Sequence, residues 1–556
     1  MAGGLLNLIA LGNANIFLTG DPTKTFFRAT YSKYTNFGLQ KFRIDYKGSR
    51  DLRTTEKSTF SFKIPRYAEL LMDTYLVVSI PDIWSPLYPP VPKTETNVGL
   101  NNDNKWAPYE FRWIEDLGCQ LIQEIEINCG SFTLARYSGD YLSAMVDRDF
   151  TTEKKQLFNR MSGNIPELNN PASAHGRVNT YPNAFYDESD PPTSAGIEPS
   201  IRGQNIYIPL NAWFTLNSRC AFPLIALQYN ELEINVTLRP IQDLFQVRDV
   251  FDPLNGYPYI RPDFNQDRFQ MYRFLQGPLK QYISDPNAYA NKFNTWNTDV
   301  HLLCNYAFLS KEETKQFAKE DQIYLVKEVF THKYDNIYGS KKVKLESAGM
   351  VANWMWYFQR NDVNMRNEWS NYTNWAYRNF PIDVQSAPIA IAFQPTTNDT
   401  LGENTGFFIS GNYSVENQKH IMTTMGILLD GKYRENTLPR EVFDYIEKYT
   451  RTNGFAKEGI YCYQFCLETN PSTYQPSGAI NLGKFKNIEL EFVTFMPQLD
   501  TVASDYQIVC DADGQMTSVK KSNWRLYEYT FNLVVFEERY NILSFIGGNC
   551  GMMYAR

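Results

Sequence analysis

The sequence predicts an all-β protein built as two similar halves, and three observations carry that prediction. The first is composition. Aromatic residues make up 15% of the 556, punctuated by 29 prolines and 31 glycines. Aromatics fit pleated strands, and Pro and Gly fit the turns between short ones. The second is period-two alternation: Leu232, Ile234, Val236 and Leu238 alternate with Glu233, Asn235, Thr237 and Arg239, giving one dry and one wet face. The third is an internal echo. Glu231-Leu232-Glu233-Ile234 with Val236-Thr237-Leu238 returns as Glu489-Leu490-Glu491-Phe492 with Val493-Thr494-Phe495. Two tandem sandwiches of one topology leave such a trace, and the length exceeds what one ordinary core supports.

Taken in order, the chain opens with a weakly apolar arm, residues 1–26, carrying Leu5, Leu6, Leu8, Ile9 and Leu11. Gly20-Asp21-Pro22 is a turn signal, and beyond it aromatics crowd the chain: Phe26, Phe27, Tyr31, Tyr34 and Phe37. A first half is expected over 27–245 and a second over 246–556, with the boundary between 240 and 296. Ile125 and Ile127 alternate with Glu124 and Glu126, run into Asn128-Cys129-Gly130 and continue through Phe132 and Leu134, which predicts a hairpin. Asp430-Gly431 and Asp513-Gly514 predict two more, because Asp-Gly accepts the positive dihedrals of tight turns. Helical signals are few. Ser310-Lys311-Glu312-Glu313 is a capping box ahead of Phe317. Pro439 is expected to open a second helix with an apolar face of Val442, Tyr445, Ile446 and Tyr449. Tracts rich in Pro, Asn and Ser at about 84–108 and 164–204 predict long surface loops.

Composition also excludes. Net charge is −7 with no long basic block, and the arm has no cation before Lys24, which disfavours direct genome packaging. Charged residues are 21% and mean hydropathy is −0.43, so Asn, Gln, Ser and Thr carry the polarity. No run approaches 18 uninterrupted apolar residues, the N-terminus lacks a charged leader segment, and Ala2 fails the myristoylation pattern. The eight cysteines show no dense framework spacing, and Cys462 and Cys466 form the one close pair. All eight are expected to be free thiols, as in a protein assembled in a reducing cytosol.

The opening segment resembles the major capsid proteins of large icosahedral DNA viruses. Gly3-Gly4-Leu5, then Leu18-Thr19-Gly20-Asp21-Pro22-Thr23-Lys24-Thr25-Phe26-Phe27, then Tyr31 to Phe37 follow that pattern without insertion. The likeness continues through Ile206-Tyr207-Ile208-Pro209-Leu210, Phe222 to Tyr229, Phe308 to Ala318, Pro476 to Asn481, and the close from Arg539 to Tyr554. It implies two tandem eight-stranded antiparallel jelly-roll barrels, a double jelly roll with long inserted loops. It further implies a homotrimeric pseudo-hexagonal capsomer in the outer shell. Its partners would be neighbouring capsomers, minor capsid and penton proteins and, through minor proteins, an internal viral membrane. The arm residues Leu5, Leu6, Leu8, Ile9 and Leu11 would link capsomers. No catalytic residue, metal or cofactor is implied, and assembly would occur in the host cytoplasm.

Several motifs carry a bland reading beside a functional one. Gly426 to Lys432 nearly spells a phosphate loop, but Tyr433 stands where Mg²⁺ needs a hydroxyl, so strand and hairpin are expected. His175, His301, His332 and His420 have no ligand spacing. Trp354 to Phe358 and Trp369 to Trp375 could form a stacking platform for sugar or single strands. With no convergent cations they read as a core strand and a loop locked by its own aromatics. Asn235, Asn371, Asn398 and Asn412 head sequons; Asn235 lies mid-strand, leaving Asn371, Asn398 and Asn412 as glycan candidates. The rival class, a carbohydrate-binding or carbohydrate-active sandwich, needs two carboxylates across a cleft, and no such pair stands out.

Overall fold

Alternating strands organise the computed structural model into sheets of matching design. It describes residues 3–48, 52–88, 107–178, 180–182, 198–249, 258–277, 289–378, 389–392, 404–409, 418–454, 456–496, 506–510, 516–521 and 529–554. The first barrel is built from β1 (Phe37–Asp45), β2 (Ser58–Lys63), β3 (Leu70–Ile80), β4 (Ile122–Cys129), β5 (Phe132–Tyr137), β6 (Phe222–Pro223), β7 (Leu232–Leu238) and β8 (Val300–Leu309). Its two sheets run in the order β1-β8-β3-β6 and β2-β7-β4-β5, with a further strand, Gln204–Pro209, on β3.

The second barrel uses β9 (Gln322–Ile337), β10 (Ser340–Leu345), β11 (Met350–Arg360), β12 (Met422–Leu429), β13 (Lys432–Pro439), β14 (Ile460–Gln464), β15 (Ile488–Thr494) and β16 (Phe531–Ile546). Its sheets run β9-β16-β11-β14 and β10-β15-β12-β13. Each position is the first barrel's plus eight. The echo in the sequence is therefore real: β7 and β15 occupy equivalent places, each with its apolar residues turned inward. Both barrels have the jelly-roll order, and the fold is a double jelly roll.

The halves divide later than expected. β8 pairs with both β1 and β3, so the first barrel closes only at Leu309. The division falls at helix α3 (Lys311–Lys319) rather than between 240 and 296. The capping signal there holds, with Ser310 Oγ accepting from the Glu313 N–H at 3.4 Å. The arm is also longer than expected. β1 begins at Phe37, and residues 3–36 are exposed almost throughout, including a short helix α1 (Gly3–Ile9) with no buried residue.

The Asp430-Gly431 hairpin forms with φ of 49° and 77°, and the near-phosphate-loop is strand and turn. The turn at Asp513-Gly514 lies outside the described residues, though the strands flanking it, Tyr506–Cys510 and Met516–Lys521, pair antiparallel. A helical segment does start directly after Pro439, at Arg440, but Pro439 itself belongs to the strand before it. It ends β13, an edge strand where a missing N–H costs little. A π-helical turn, Val442–Ile446, follows and runs into α4 (Glu447–Arg451). The wider turn re-phases the chain, so Phe443, Asp444 and Lys448 are buried while Tyr445, Ile446 and Tyr449 face outward.

The register gives each barrel two unlike ends. At one end β2 finishes opposite the start of β7, β4 finishes opposite the same start, and β3 begins beside the end of β8. Tight turns cluster there, and β1 emerges from the arm there, Phe37 opposite Leu309. Most connections at the other end are long: 81–121, 138–221 and 239–299 in the first barrel, 361–421, 440–459 and 495–530 in the second. The second barrel departs from the pattern with a two-residue turn, 338–339, at this end and a long connection, 465–487, at the opposite one.

Candidate assembly surfaces and the seam between the barrels

The seam forms where the first barrel's β5–β6 connection lays a helix on a sheet of the second. Helix α2 (Gly139–Asp149) is capped by Ser138 Oγ, which accepts from the Tyr141 N–H at 3.3 Å. Its Ala144 joins Met355, Tyr357, Tyr372, Ile460, Cys462 and Phe536 in one buried cluster. β11 is consequently covered on both faces, which explains its run of Trp354, Met355, Trp356, Tyr357 and Phe358. The aromatic strand is core, as the bland reading expects.

Charges at the end of α2 cross the seam. Arg148, fully buried, donates to Asp149 at 2.6 and 3.0 Å, to Glu538 Oε1 at 2.7 Å and to Asn353 Oδ1 at 2.9 Å. Asn353 Nδ2 and Tyr141 OH each donate to Glu538 at 2.9 Å, and Thr469 Oγ donates to Asp149 at 2.5 Å. Burial alone would raise the Glu538 carboxyl, but Arg148, Lys327 and Asn353 outweigh it and hold the group down at about 2. Asp149 moves the other way, raised by burial against the pull of Arg148. Such a network resists sliding, because any shift leaves a buried charge unpaired. Gly454 completes the contact. Its N–H donates to the Arg148 carbonyl at 3.0 Å, and a Cβ there would sit 2.4 Å from the Phe150 carbonyl oxygen.

A second clamp runs in the opposite direction. The loop after β11 carries Asn367, whose amide donates to the carbonyls of Gln242 at 2.7 Å and Phe245 at 2.8 Å. Trp369 Nε1 donates to the Asp243 carbonyl at 2.9 Å, and the Arg239 guanidinium lies 4.5 Å over the Trp369 ring. Ser370 Oγ donates to Asp116 at 2.8 Å, and Tyr377 OH donates to the Tyr259 carbonyl at 2.6 Å. Arg360 and Arg366 pair with the buried Asp362 at 2.7 and 2.8 Å, and although burial opposes it they hold its carboxyl well below the usual range.

The third link is at the tight-turn end. After β16 the chain turns back as β17 (Asn549–Met552), and Cys550 forms a disulfide with Cys129 at the tip of β4, Cα to Cα 6.8 Å. This overturns the expectation of eight free thiols, and the thiols no longer argue for cytosolic assembly. The partners are 421 residues apart, so local spacing carried no hint. Cys119, Cys220, Cys304, Cys462 and Cys466 are free. The Gly548 carbonyl accepts from the N–H groups of Gln228 and Tyr229 at 2.9 and 3.3 Å. Leu543, Phe545 and Cys550 are packed in the first barrel's core.

The expected surface residues divide sharply. Leu5, Leu6, Leu8, Ile9 and Leu11 are 48–72% exposed on the arm, and no contact in the described chain gathers them. Asn371 is 1% exposed: its amide donates to the Trp375 carbonyl at 2.9 Å, and its Oδ1 accepts from Thr373 N–H and Oγ. A glycan has no room there, because this sequon is the lock of a turn. Asn398 and Asn412 lie outside the described residues. His175 is exposed, and His301, His332 and His420 stand on separate elements. Arg148, Glu538 and Asn353 escaped sequence reasoning. The available signal was an Arg between two Asp in an apolar helix, and a Glu pair inside an apolar strand.

Comparison with known proteins places the whole chain. Residues 25–309 match the family described as major capsid protein N-terminus, and residues 313–551 match large eukaryotic DNA virus major capsid protein. The junction of the two matches falls at α3, as the strand pairing requires. The major capsid protein of Phaeocystis pouchetii virus is 24% identical over 552 residues, covering 89% of this chain and 93% of that one. That of Paramecium bursaria Chlorella virus 1 is 23% identical with both chains fully covered. That of Chrysochromulina ericina virus is 26% identical over 369 residues, covering 65% of this chain and 58% of that one. Among solved structures, a chain of the PBCV-1 virus capsid superposes with a TM-score of 0.58 at 19% identity, covering 96% of this chain and all of that one. The Faustovirus major capsid protein gives 0.58 at 12% identity, covering 97% and 96%.

Proposed function

The chain belongs to the family of large eukaryotic DNA virus major capsid proteins, components of the virion shell, and from that premise we propose that three copies close into a pseudo-hexagonal capsomer. The observation that carries the reading is the seam. Two barrels of one strand order, locked by buried charges, a reciprocal loop and a disulfide, present two equivalent walls at fixed spacing. Three such chains about a threefold axis supply six walls, and closed symmetry limits growth to a trimer. The role is structural and needs no chemistry at a reactive centre.

The unlike barrel ends orient the capsomer. The end with long connections faces outward, and the tight-turn end, with the arm and the β16–β17 hairpin, faces inward. There the arm meets neighbouring capsomers and minor and penton proteins, Leu5, Leu6, Leu8, Ile9 and Leu11 supplying the apolar contact. Any glycan belongs on Asn398 or Asn412, within the long 361–421 connection, and peptide mass mapping of particles checks this. Assembly in the host cytoplasm rests on family membership alone. Light scattering after size exclusion tests the central claim: about three times 64.5 kDa is expected, and a monomer persisting at micromolar concentration overturns it.

A further inference from the structure

The stretch between Pro22 and Ile44 differs from the rest of the molecule in charge and in exposure. It holds Lys24, Arg28, Lys33, Lys41 and Arg43 and no acidic residue of its own, in a chain whose net charge is −7; Arg43, on β1, is already paired with Asp45 and Asp299. Its rings are bare: Phe26, Phe27, Tyr31 and Tyr34 are 85–98% exposed, and just upstream Phe17 and Leu18 are equally so. Lys24 Nζ lies 5.1 Å from the Phe26 ring centre, so cation and ring already share one locality. All of this hangs from the tight-turn end, because Phe37 pairs with Leu309.

Exposed aromatics interleaved with cations match the interface of a lipid bilayer. Rings settle at headgroup depth while Lys and Arg reach the anionic phosphates. Single-stranded nucleic acid is a second polyanion that aromatics can stack on. The apolar side chains upstream decide between them. Ile16, Phe17 and Leu18 are all largely exposed; aliphatic groups gain little on a base stack but partition into acyl chains.

We propose that residues 16–36 are a direct docking segment for an anionic membrane surface. This rests on the capsid reading, since it takes the tight-turn end to face the particle interior. Three arms per trimer would bind together, so individually weak contacts add as avidity.

The test is flotation of the full-length protein, its trimer verified first by light scattering, with vesicles of phosphatidylcholine containing about a third phosphatidylserine. Binding to these vesicles, weakened by salt and much lower on pure phosphatidylcholine, is expected. Replacing Lys24, Arg28 and Lys33 together by Gln should lower the partition coefficient about a hundredfold, at roughly 1 kcal/mol per charge near an anionic surface. The pair Phe26→Ser and Phe27→Ser should weaken it on both vesicle types. Circular dichroism and the trimer mass should stay unchanged in every variant, since these side chains touch no core. A trimer that ignores both vesicle types, or that binds a single-stranded oligonucleotide instead, overturns this proposal and leaves the capsomer reading standing. Failure to trimerise overturns the capsomer reading itself.

Discussion

The seam and the arm are built from the same kinds of residue and meet opposite fates. At the seam, Arg148, Glu538 and Asp149 sit among Tyr141, Met355 and Phe536, and their hydrogen bonds are made within one chain. On the arm, Lys24, Arg28 and Lys33 sit among Phe26, Phe27 and Tyr31, all open to solvent. Rings and charges thus become either a rigid joint or an adhesive tail, depending on whether the fold supplies the other half of each contact. A barrel can be finished by its own chain. A lattice cannot, so part of the apolar surface must stay unspent until another molecule arrives.

The sharpest way to break the comparison is Arg148→Met, which roughly keeps volume while leaving Asp149 buried without its cation and Glu538 with only Lys327, 3.9 Å away. A loss of about 3–5 kcal/mol is expected, read as an earlier denaturant midpoint, with limited proteolysis newly cutting between the barrels. Acid attacks the same joint through the other partner. Glu538 is held down at about 2 in the fold against an ordinary 4.5. Its contribution is therefore full above 4.5 and is lost as pH falls from there towards 2, up to about 3 kcal/mol. The Glu538→Gln variant should show a shallower fall in melting temperature over that window.

Opening the disulfide should cost somewhat less. Cys129→Ser with Cys550→Ser removes a 421-residue cross-link, with an expected loss of about 2–4 kcal/mol. Non-reducing peptide maps should lose the one peptide joining 129 to 550. The smallest effect on stability belongs to the arm: deleting residues 2–20 should move it by less than about 0.5 kcal/mol, while particle assembly is impaired. A collapse of melting temperature on that deletion would erase the distinction between joint and tail.

Much of the barrel was legible because its signals are local. Leu232–Leu238 alternates, Asp430-Gly431 turns, and Ser310 caps, each within a few residues. What stayed hidden depends on distance. β8 lies beyond the long 239–299 connection yet pairs with β1, so composition near 245 looked like a boundary. Arg148 between Asp147 and Asp149 looks like a solvated charge run until the second barrel covers it. The helix after Pro439 was displaced by one π turn, which periodicity of 3.6 cannot foresee. Asn371 shows the same limit, a sequon by spelling and a buried turn by contact.

The disulfide and the residues around it also set a schedule. Leu543, Phe545 and Cys550 fill the core of a barrel whose first strand is β1, so that barrel leaves the ribosome unfinished. It waits for nearly the whole remainder of synthesis before its last pieces exist. The second barrel depends on the first in turn, because one face of β11 is bare unless α2, made earlier, lies across it. A prematurely terminated chain lacks Leu543, Phe545 and Cys550 and so leaves the first barrel's core open. Quality control is thereby built into the topology: only a chain carried through to its final hairpin becomes a rigid tile.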